Sequence, residues 1–90
     1  MHKHSIEQAK YHEGYKIFLG FDDGLTGIVD LKNFIFNNEF SAFKRLQDEQ
    51  QFKDFNLENH TLVWGNDLDL APEFLYDLLL NSSKINDLKN

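Results

Sequence analysis

A chain of 90 residues with a net charge of −6 and no Cys is long enough for one domain and too short for two. Without Cys, disulfides, thiolate metal sites and thiol nucleophiles are all excluded. Nine Phe residues supply large apolar side chains for a small core. We therefore expect one folded domain over residues 1–80, followed by a polar C-terminal tail over residues 81–90.

The negative charge is concentrated in one third of the chain. Between Lys53 and Lys84 there is no Lys or Arg, and this stretch contains Asp54, Glu58, Asp67, Asp69, Glu73 and Asp77. Nucleic-acid-binding proteins gain affinity from clustered Lys and Arg, so direct binding to DNA or RNA is disfavoured. No apolar run is long enough to span a bilayer, and the polar first residues lack the apolar segment of a signal peptide. We expect a cytoplasmic protein without membrane contact.

The first predicted elements are three strands. Residues 5–11 predict a weak strand at a sheet edge, because only two of them are aliphatic, and residues 12–14 predict the following turn. Apolar and polar residues alternate over residues 15–22, which is typical of a half-buried strand, and β-branched residues follow from Thr26. The weak first strand could leave an edge open for a homodimer.

A hairpin turn is predicted between the second and third strands. Asp23-Gly24 suits the two positive-φ positions of a type I′ turn. With that two-residue loop, Gly20 would face Gly27 and leave a bare backbone patch. A helix, a ligand or a partner could approach the backbone closely there.

Residues 31–52 change to a helical period. Their apolar stripe predicts an amphipathic helix that buries Phe36, Phe40, Phe43 and Leu46. Asp48 with Gln51 three residues later resembles a capping box. We therefore expect a second short helical turn from Asp48, with Phe52 directed inward.

The last third predicts a second hairpin and a final helix. Residues 55–58 and 61–64 have strand-like patterns on either side of an Asn59-His60 turn. Pro72 suits the first position of a helix, with Ala71 as its N-cap and with inward Leu75, Leu78 and Leu79. The predicted fold is therefore α+β, with a three-stranded antiparallel meander, a helix, a β-hairpin and a C-terminal helix.

Several short motifs occur together in a familiar order: Phe21-Asp22-Asp23-Gly24, Gly27, Val29-Asp30-Leu31, Phe43, Leu46, Asp48, Phe52, Trp64, Asn66, Asp69, Pro72, Glu73, Leu75 and Tyr76. In this order the chain resembles the small bacterial family catalogued as domain of unknown function 2442. The resemblance implies the same α+β fold and no established activity. Some members are encoded beside another small protein, which has suggested toxin–antitoxin-like pairs. The usual family loop reads Trp-Pro-Asn-Gly, whereas this chain has Asp67 in place of the glycine.

Metal binding is disfavoured. Asp67, Asp69 and Glu73 are carboxylates of the kind that Ca²⁺ prefers, but apolar residues alternate with them and the EF-hand spacing is missing. The pattern favours an extended segment with Leu inward and Asp outward. The histidines lack the helical spacing of metal ligands and are expected at the surface: His2, His4, His12 and His60. We expect no metal and no cofactor.

Catalysis is also disfavoured. Asp22 and Asp30 could suggest paired carboxylates for acid and base chemistry, but turn chemistry already explains Asp22-Asp23. The Ser residues lack a nucleophile-elbow context, and no glycine-rich phosphate loop precedes a helix. A small hydrolase or lyase that uses Asp22, Asp30 or Asp69 is an alternative.

A non-enzymatic binding domain is the favoured function. Trp64 is predicted either in the core or, if exposed, as the centre of a binding surface. The candidate partner-binding residues are Trp64, Asn66, Asp67, Asp69, Glu73 and Tyr76. The expected partner is a basic or amphipathic protein, in an antitoxin-like or regulatory pair. An alternative is an acidic inhibitor of a nucleic-acid-binding or defence protein.

Overall fold

The computed structural model describes residues 4–37, 41–65 and 67–81 in full, together with the backbone of residues 82–89. The elements in chain order are β1 (Ile6–Tyr11), β2 (Lys16–Phe21), β3 (Thr26–Asp30), α1 (Lys32–Phe36), a 3₁₀ helix (Ser41–Gln47), α2 (Glu49–Phe52), β4 (Asn56–Glu58), β5 (Thr61–Trp64), β6 (Leu68–Leu70) and α3 (Pro72–Lys89). Strands β1–β3 form one antiparallel sheet and β4–β6 form another. The predicted α+β class is confirmed.

The hairpin of β2 and β3 is present, but its loop has three residues. Phe21 N–H donates to Leu25 O (2.8 Å), and Gly24 N–H donates to Phe21 O (3.0 Å). Gly24 takes a φ of 94°, whereas Asp23 is not among the residues with positive φ. This is the loop in which a type I turn ends in a left-handed residue. The predicted type I′ turn, which needs two positive-φ residues, is therefore wrong.

The longer loop shifts the strand register by one residue. Gly20 lies opposite Thr26, and Gly27 lies opposite Leu19, so the predicted pair of facing glycines is wrong. A Cβ at Gly27 would lie only 2.6 Å from Leu79 Cδ1. Helix α3 therefore makes the close approach that a glycine in a strand permits.

Strand β1 lies at the edge of the first sheet, as predicted. Its pairing with β2 shifts register between Ile6 and Gln8. Ile6 N–H also donates to His60 O (2.9 Å), which connects β1 to the β4–β5 turn. In the predicted turn before β2, Gly14 and Tyr15 take φ values of 52° and 67°.

No single helix is formed over residues 31–52 in the part of the chain that the structure describes. Helix α1 ends at Phe36, which is 44% exposed, so the predicted inward stripe is wrong at that residue. Leu31 and Ile35 are buried instead, and their spacing of four residues sets the inward face of α1. Phe40 lies outside the described residues. Leu46 is buried as predicted.

The predicted helix start at Asp48 is confirmed. Asp48 Oδ1 accepts the N–H of Gln50 (3.0 Å), and Phe52 is fully buried. The Asp48 N–H donates to Arg45 O (3.3 Å), which replaces the reciprocal bond of a capping box.

The second sheet contains the predicted hairpin and one further strand. Asn59 and His60 take φ values of 50° and 67° in the turn between β4 and β5. Strand β6 then pairs with β5. The predicted alternation over residues 68–70 is confirmed, because Leu68 and Leu70 are buried and Asp69 is exposed.

Helix α3 begins at Pro72 and packs on β3. Leu75 and Leu79 are buried and Leu78 is half-buried, as predicted. The backbone of α3 is helical as far as Lys89, beyond residue 80. The division into a domain over residues 1–80 and a tail over residues 81–90 stays a prediction. Among the described residues, no helix combines the length and apolar character needed to cross a membrane.

The two sheets and α3 share one hydrophobic core, which contains Ile6, Ile17, Leu19, Phe21, Val29, Leu31, Ile35, Leu46, Phe52, Leu62, Trp64, Leu68, Leu70, Leu75 and Leu79. The core residues thus come from segments that are far apart in the chain, from β1 to α3.

Candidate functional site

Trp64 belongs to the core. Its side chain is 2% exposed, and Nε1–H donates to Phe52 O at 2.7 Å. The indole ring lies 6.0 Å from the Phe52 ring, measured between centroids. The sequence allows Trp64 to be either buried or exposed, and the structure shows it buried. The prediction that the Trp64 ring contacts a partner is therefore wrong, because the ring packs inside the core at the end of β5.

Arg45 holds the β5–β6 turn from outside. Its guanidinium donates to Asp67 Oδ1 and to Trp64 O, both at 3.0 Å. Gly65, with φ of 65°, lets the guanidinium approach: a Cβ at this position would lie 3.3 Å from Arg45 Nη2. Leu46, Gln51 and Asp54 complete the lining of a cavity of about 260 Å³, which we call the Arg45 pocket.

The Arg45 guanidinium compensates the charge of Asp67. The hydrogen bond from Arg45, and then its positive charge, hold the pKa of Asp67 below the usual range. Both side chains remain substantially exposed, so this ion pair contributes little to stability. The carboxylate of Asp67, a predicted contact residue, thus already forms an ion pair with Arg45 of the same chain.

A second group of polar residues surrounds Tyr76 and is called the Tyr76 cluster: His4, Asp22, Asp23, Glu73 and Tyr76. The Tyr76 phenol donates to Asp23 Oδ2. The His4 ring stacks on the Tyr76 ring with 3.5 Å between centroids and 6° between planes. Phe21 meets the Tyr76 ring edge-on at 5.0 Å. The half-buried Tyr76 ring is therefore held in one orientation.

The chain before β1 crosses this cluster. His4 N–H donates to Glu73 Oε2 at 2.9 Å, and Ser5 N–H donates to Asp22 Oδ1 at 3.2 Å. Asp22 N–H donates back to Ser5 O at 2.9 Å. Carboxylates from the β2–β3 loop and from the first turn of α3 therefore converge on one short segment and one phenol.

The bond between Tyr76 and Asp23 changes the acidity of both groups. It is the main cause that lowers the pKa of Asp23, with the Leu25 N–H adding to the effect. The same bond, followed by partial desolvation, raises the pKa of Tyr76. At neutral pH the pair is therefore a carboxylate that accepts from a neutral phenol.

A family model described as "Protein of unknown function (DUF2442)" matches residues 6–79. This chain belongs to the DUF2442 family. Nothing among curated proteins or solved structures matches it. The resemblance noted in the sequence is thereby confirmed, and the matched range contains the Arg45 pocket and all of the Tyr76 cluster except His4.

The predicted contact residues of this DUF2442 chain do not form one site. Glu73 and Tyr76 belong to the Tyr76 cluster, Asp67 belongs to the Arg45 pocket, and Asp69 is exposed on β6. Asn66 lies outside the described residues. Sequence reasoning did not include Arg45, His4 or the two aspartates of the β2–β3 loop among the contact residues, because nothing local indicates that they meet residues far along the chain.

The carboxylates proposed for catalysis are spread over the molecule. Asp22 is in the loop at one end of the β2–β3 hairpin, whereas Asp30 pairs with Lys16 at the other end. Asp69 is on β6 in the other sheet. All three are exposed, so they do not form the paired arrangement that acid and base catalysis requires. The described residues also hold no group of three or more potential metal ligands.

Proposed function

We propose that this chain is a non-enzymatic protein-binding domain that docks a basic or amphipathic partner at the Tyr76 cluster. The observation that carries the proposal is the convergence of three carboxylates, Asp22, Asp23 and Glu73, beside Tyr76. Complementary charge guides association and selects partners. A cationic segment of another protein fits this surface best.

The hydrogen bonds to the loop do not neutralise its negative charge, although His4 also acts on Asp23 electrostatically. Asp22 and Asp23 accept hydrogen bonds from neutral donors, namely backbone N–H groups and a phenol. These bonds orient the carboxylates and leave their charge in place. A partner Arg or Lys adds charge-assisted hydrogen bonds, which are stronger than neutral ones.

Tyr76 provides the apolar part of the surface. Tyr is frequent at the energetic centres of interfaces, because its ring offers a large area and its hydroxyl a polar contact. His4 and Phe21 already restrict this ring. Ordering it on binding therefore costs little conformational entropy.

The narrower form of the proposal is an antitoxin-like or regulatory pair with a co-encoded protein. It rests on the family resemblance and on the acidic surface together. If the domain is instead an acidic inhibitor of a nucleic-acid-binding or defence protein, the same surface covers a phosphate-binding groove. The two forms differ in whether nucleic acid competes with the domain.

The test uses the purified product of the neighbouring gene in a pull-down with three versions of the domain. The wild type and Glu58→Lys are expected to retain the product in equal molar amount, and Asp23→Lys is expected to lose it. Glu58 is an exposed carboxylate on β4, so the two variants change the net charge equally at different places.

Equal loss with both variants would show that total charge, and not the Tyr76 cluster, governs binding. Retention by Asp23→Lys, or no retention by the wild type at low salt, contradicts the proposal. Adding nucleic acid then separates the two forms: displacement of the domain supports the inhibitor, and no displacement supports the antitoxin-like pair.

A further inference from the structure

Strand β3 presents an open row of backbone groups. Ladder bonds in an antiparallel pair fall on every second residue. In this pair they include the bonds from Phe21 N–H to Leu25 O (2.8 Å) and from Leu31 N–H to Tyr15 O (2.9 Å). The backbone N–H and C=O groups of the odd-numbered residues of β3 therefore point towards β2. The N–H and C=O groups that point away from β2 belong to exposed residues: Thr26, Ile28 and Asp30.

The other sheet edges have features that discourage pairing with another strand. Strand β1 has an irregular register, carries Lys10, and is contacted at Ile6 by the β4–β5 turn. Strands β4 and β6 have three residues each and carry Glu58 and Asp69. Proteins commonly protect edges by such irregularity, shortness, charge and covering loops.

Strand β3 has few of these protections. It has five residues, pairs with β2 in a regular register, contains no Pro, Lys or Arg, and carries its one charge, Asp30, at its last position. Its central outward side chain, Ile28, is apolar and 42% exposed. Among the edges that the structure describes, β3 is therefore the one best prepared to accept another strand.

We propose that β3 pairs antiparallel with β3 of a second copy of this chain, with Ile28 opposite Ile28 at the two-fold axis. This register uses every outward backbone group of the strand. Phe18 lies beside Ile28 on the same face, and Lys10 lies beside Phe18. The dimer thus forms a six-stranded sheet with one continuous apolar row across it, and Lys10 of each copy stands at either end.

Charge favours this edge over other surfaces of an acidic chain. In the proposed register Asp30 lies opposite Thr26 of the partner copy, so like charges do not meet across the interface. Lys16 lies beside Asp30 on the outer face of the sheet, and Lys10 lies on the same face. The excess of acidic over basic residues, by contrast, lies in residues 54–77, which contain six acidic residues and no Lys or Arg.

The first test measures molar mass by sedimentation and light scattering over a concentration series. The wild type is expected to rise from the mass of one chain to that of two, and Ile28→Lys is expected to remain at one. Leu57→Lys is the matched control, because Leu57 is 40% exposed on edge strand β4. It is expected to follow the wild-type curve, and circular dichroism confirms that each variant is folded.

The second test uses the absence of Cys from the natural chain. In the proposed register the two Ile28 residues form a hydrogen-bonded pair, whose Cβ atoms lie about 5 Å apart. Ile28→Cys is therefore expected to be joined into a covalent dimer by a short thiol-to-thiol cross-linker, and Leu57→Cys is not. A wild-type monomer at every concentration overturns the proposal. Equal loss of dimer in Ile28→Lys and Leu57→Lys, or equal cross-linking of the two Cys variants, overturns it as well. The β3 edge and the Tyr76 cluster are tested by different variants, so either proposal can fail alone.

Discussion

Trp64 and Tyr76 are two aromatic residues of the predicted contact segment that occupy opposite environments. Trp64 ends β5 inside the core, and its indole N–H finds a backbone carbonyl there. Tyr76 is half-buried on α3, and its phenol reaches a carboxylate of the β2–β3 loop. The location of each polar atom's partner decides how deeply its ring is buried, because a buried polar group without a partner is costly. Trp64 therefore belongs to the core, whereas Tyr76 remains partly exposed at the surface.

The largest expected effect follows from the buried position of Trp64. Trp64→Ala removes a large core side chain and is expected to lower the free energy of unfolding by about 3–5 kcal/mol. Trp64→Phe is the control that keeps most of the volume and loses the bond to Phe52 O, so it should be less destabilising. Urea denaturation measures both variants. A loss near zero for Trp64→Ala would contradict the core role.

The next effect concerns the packing of α3, the helix that carries Tyr76, against β3. Gly27→Ala places a methyl group against Leu79 and is expected to cost about 1–3 kcal/mol of stability through overpacking. Gly20→Ala is the matched control, because its Cβ would lie at 3.4 Å or more from its neighbours; it should change stability by less than about 0.5 kcal/mol. Thermal or urea denaturation compares the two glycines, and equal losses would argue against tight packing at Gly27.

A smaller effect concerns the hydrogen bond between Tyr76 and Asp23 at the surface. Tyr76→Phe removes the hydrogen bond that lowers the pKa of Asp23, so the pKa of this carboxyl is expected to rise towards its ordinary value. Conversely, Asp23→Asn should lower the pKa of Tyr76, because the charged acceptor is gone. Carboxyl NMR titration and ultraviolet titration of the phenol measure these shifts. An unchanged Asp23 pKa in Tyr76→Phe would mean that the bond is absent in solution.

The smallest effect is the dependence of stability on acid. Asp23 and Asp67 have lowered pKa values in the folded chain, so the stability they contribute is present above the unfolded-state value of about 4 and is lost as the pH falls through the folded-state value. Asp67→Asn should therefore make the decline in unfolding free energy below about pH 4 shallower than in the wild type. Denaturation at a series of acidic pH values measures this slope. A steeper slope in the variant would contradict the Arg45–Asp67 pairing.

Local patterns were sufficient for most of the strands and for the start of α3. Alternation identified β2 and β4, and Pro72 marked the beginning of the last helix. Patterns were insufficient where one residue decides the geometry. The hairpin register depended on Gly24 alone taking positive φ, and the phase of α1 depended on which residues the core could accept. Ile35 fitted the core, and Phe36 remained at the surface.

The candidate site was less predictable than the fold. The acidic composition of the last third and the choice of Tyr76 as a candidate contact residue both follow from the local sequence. The partners of these residues are not, because Tyr76 and Asp23 are 53 positions apart, and His4 and Glu73 are 69 positions apart. Hydrophobic periodicity carries no information on polar contacts at such separations. The burial of Trp64 likewise depended on finding Phe52 O, which belongs to another element.

The crossing of the Tyr76 cluster by residues His4 and Ser5 has a consequence for folding. These contacts join the segment before β1 to the β2–β3 loop and to the first turn of α3, and contacts between distant segments require the entropy of loop closure to be paid first. The cluster therefore exists in the folded state alone. A partner that binds it stabilises the folded state by mass action, so the partner's concentration would set how long each copy of this domain survives unfolding and proteolysis.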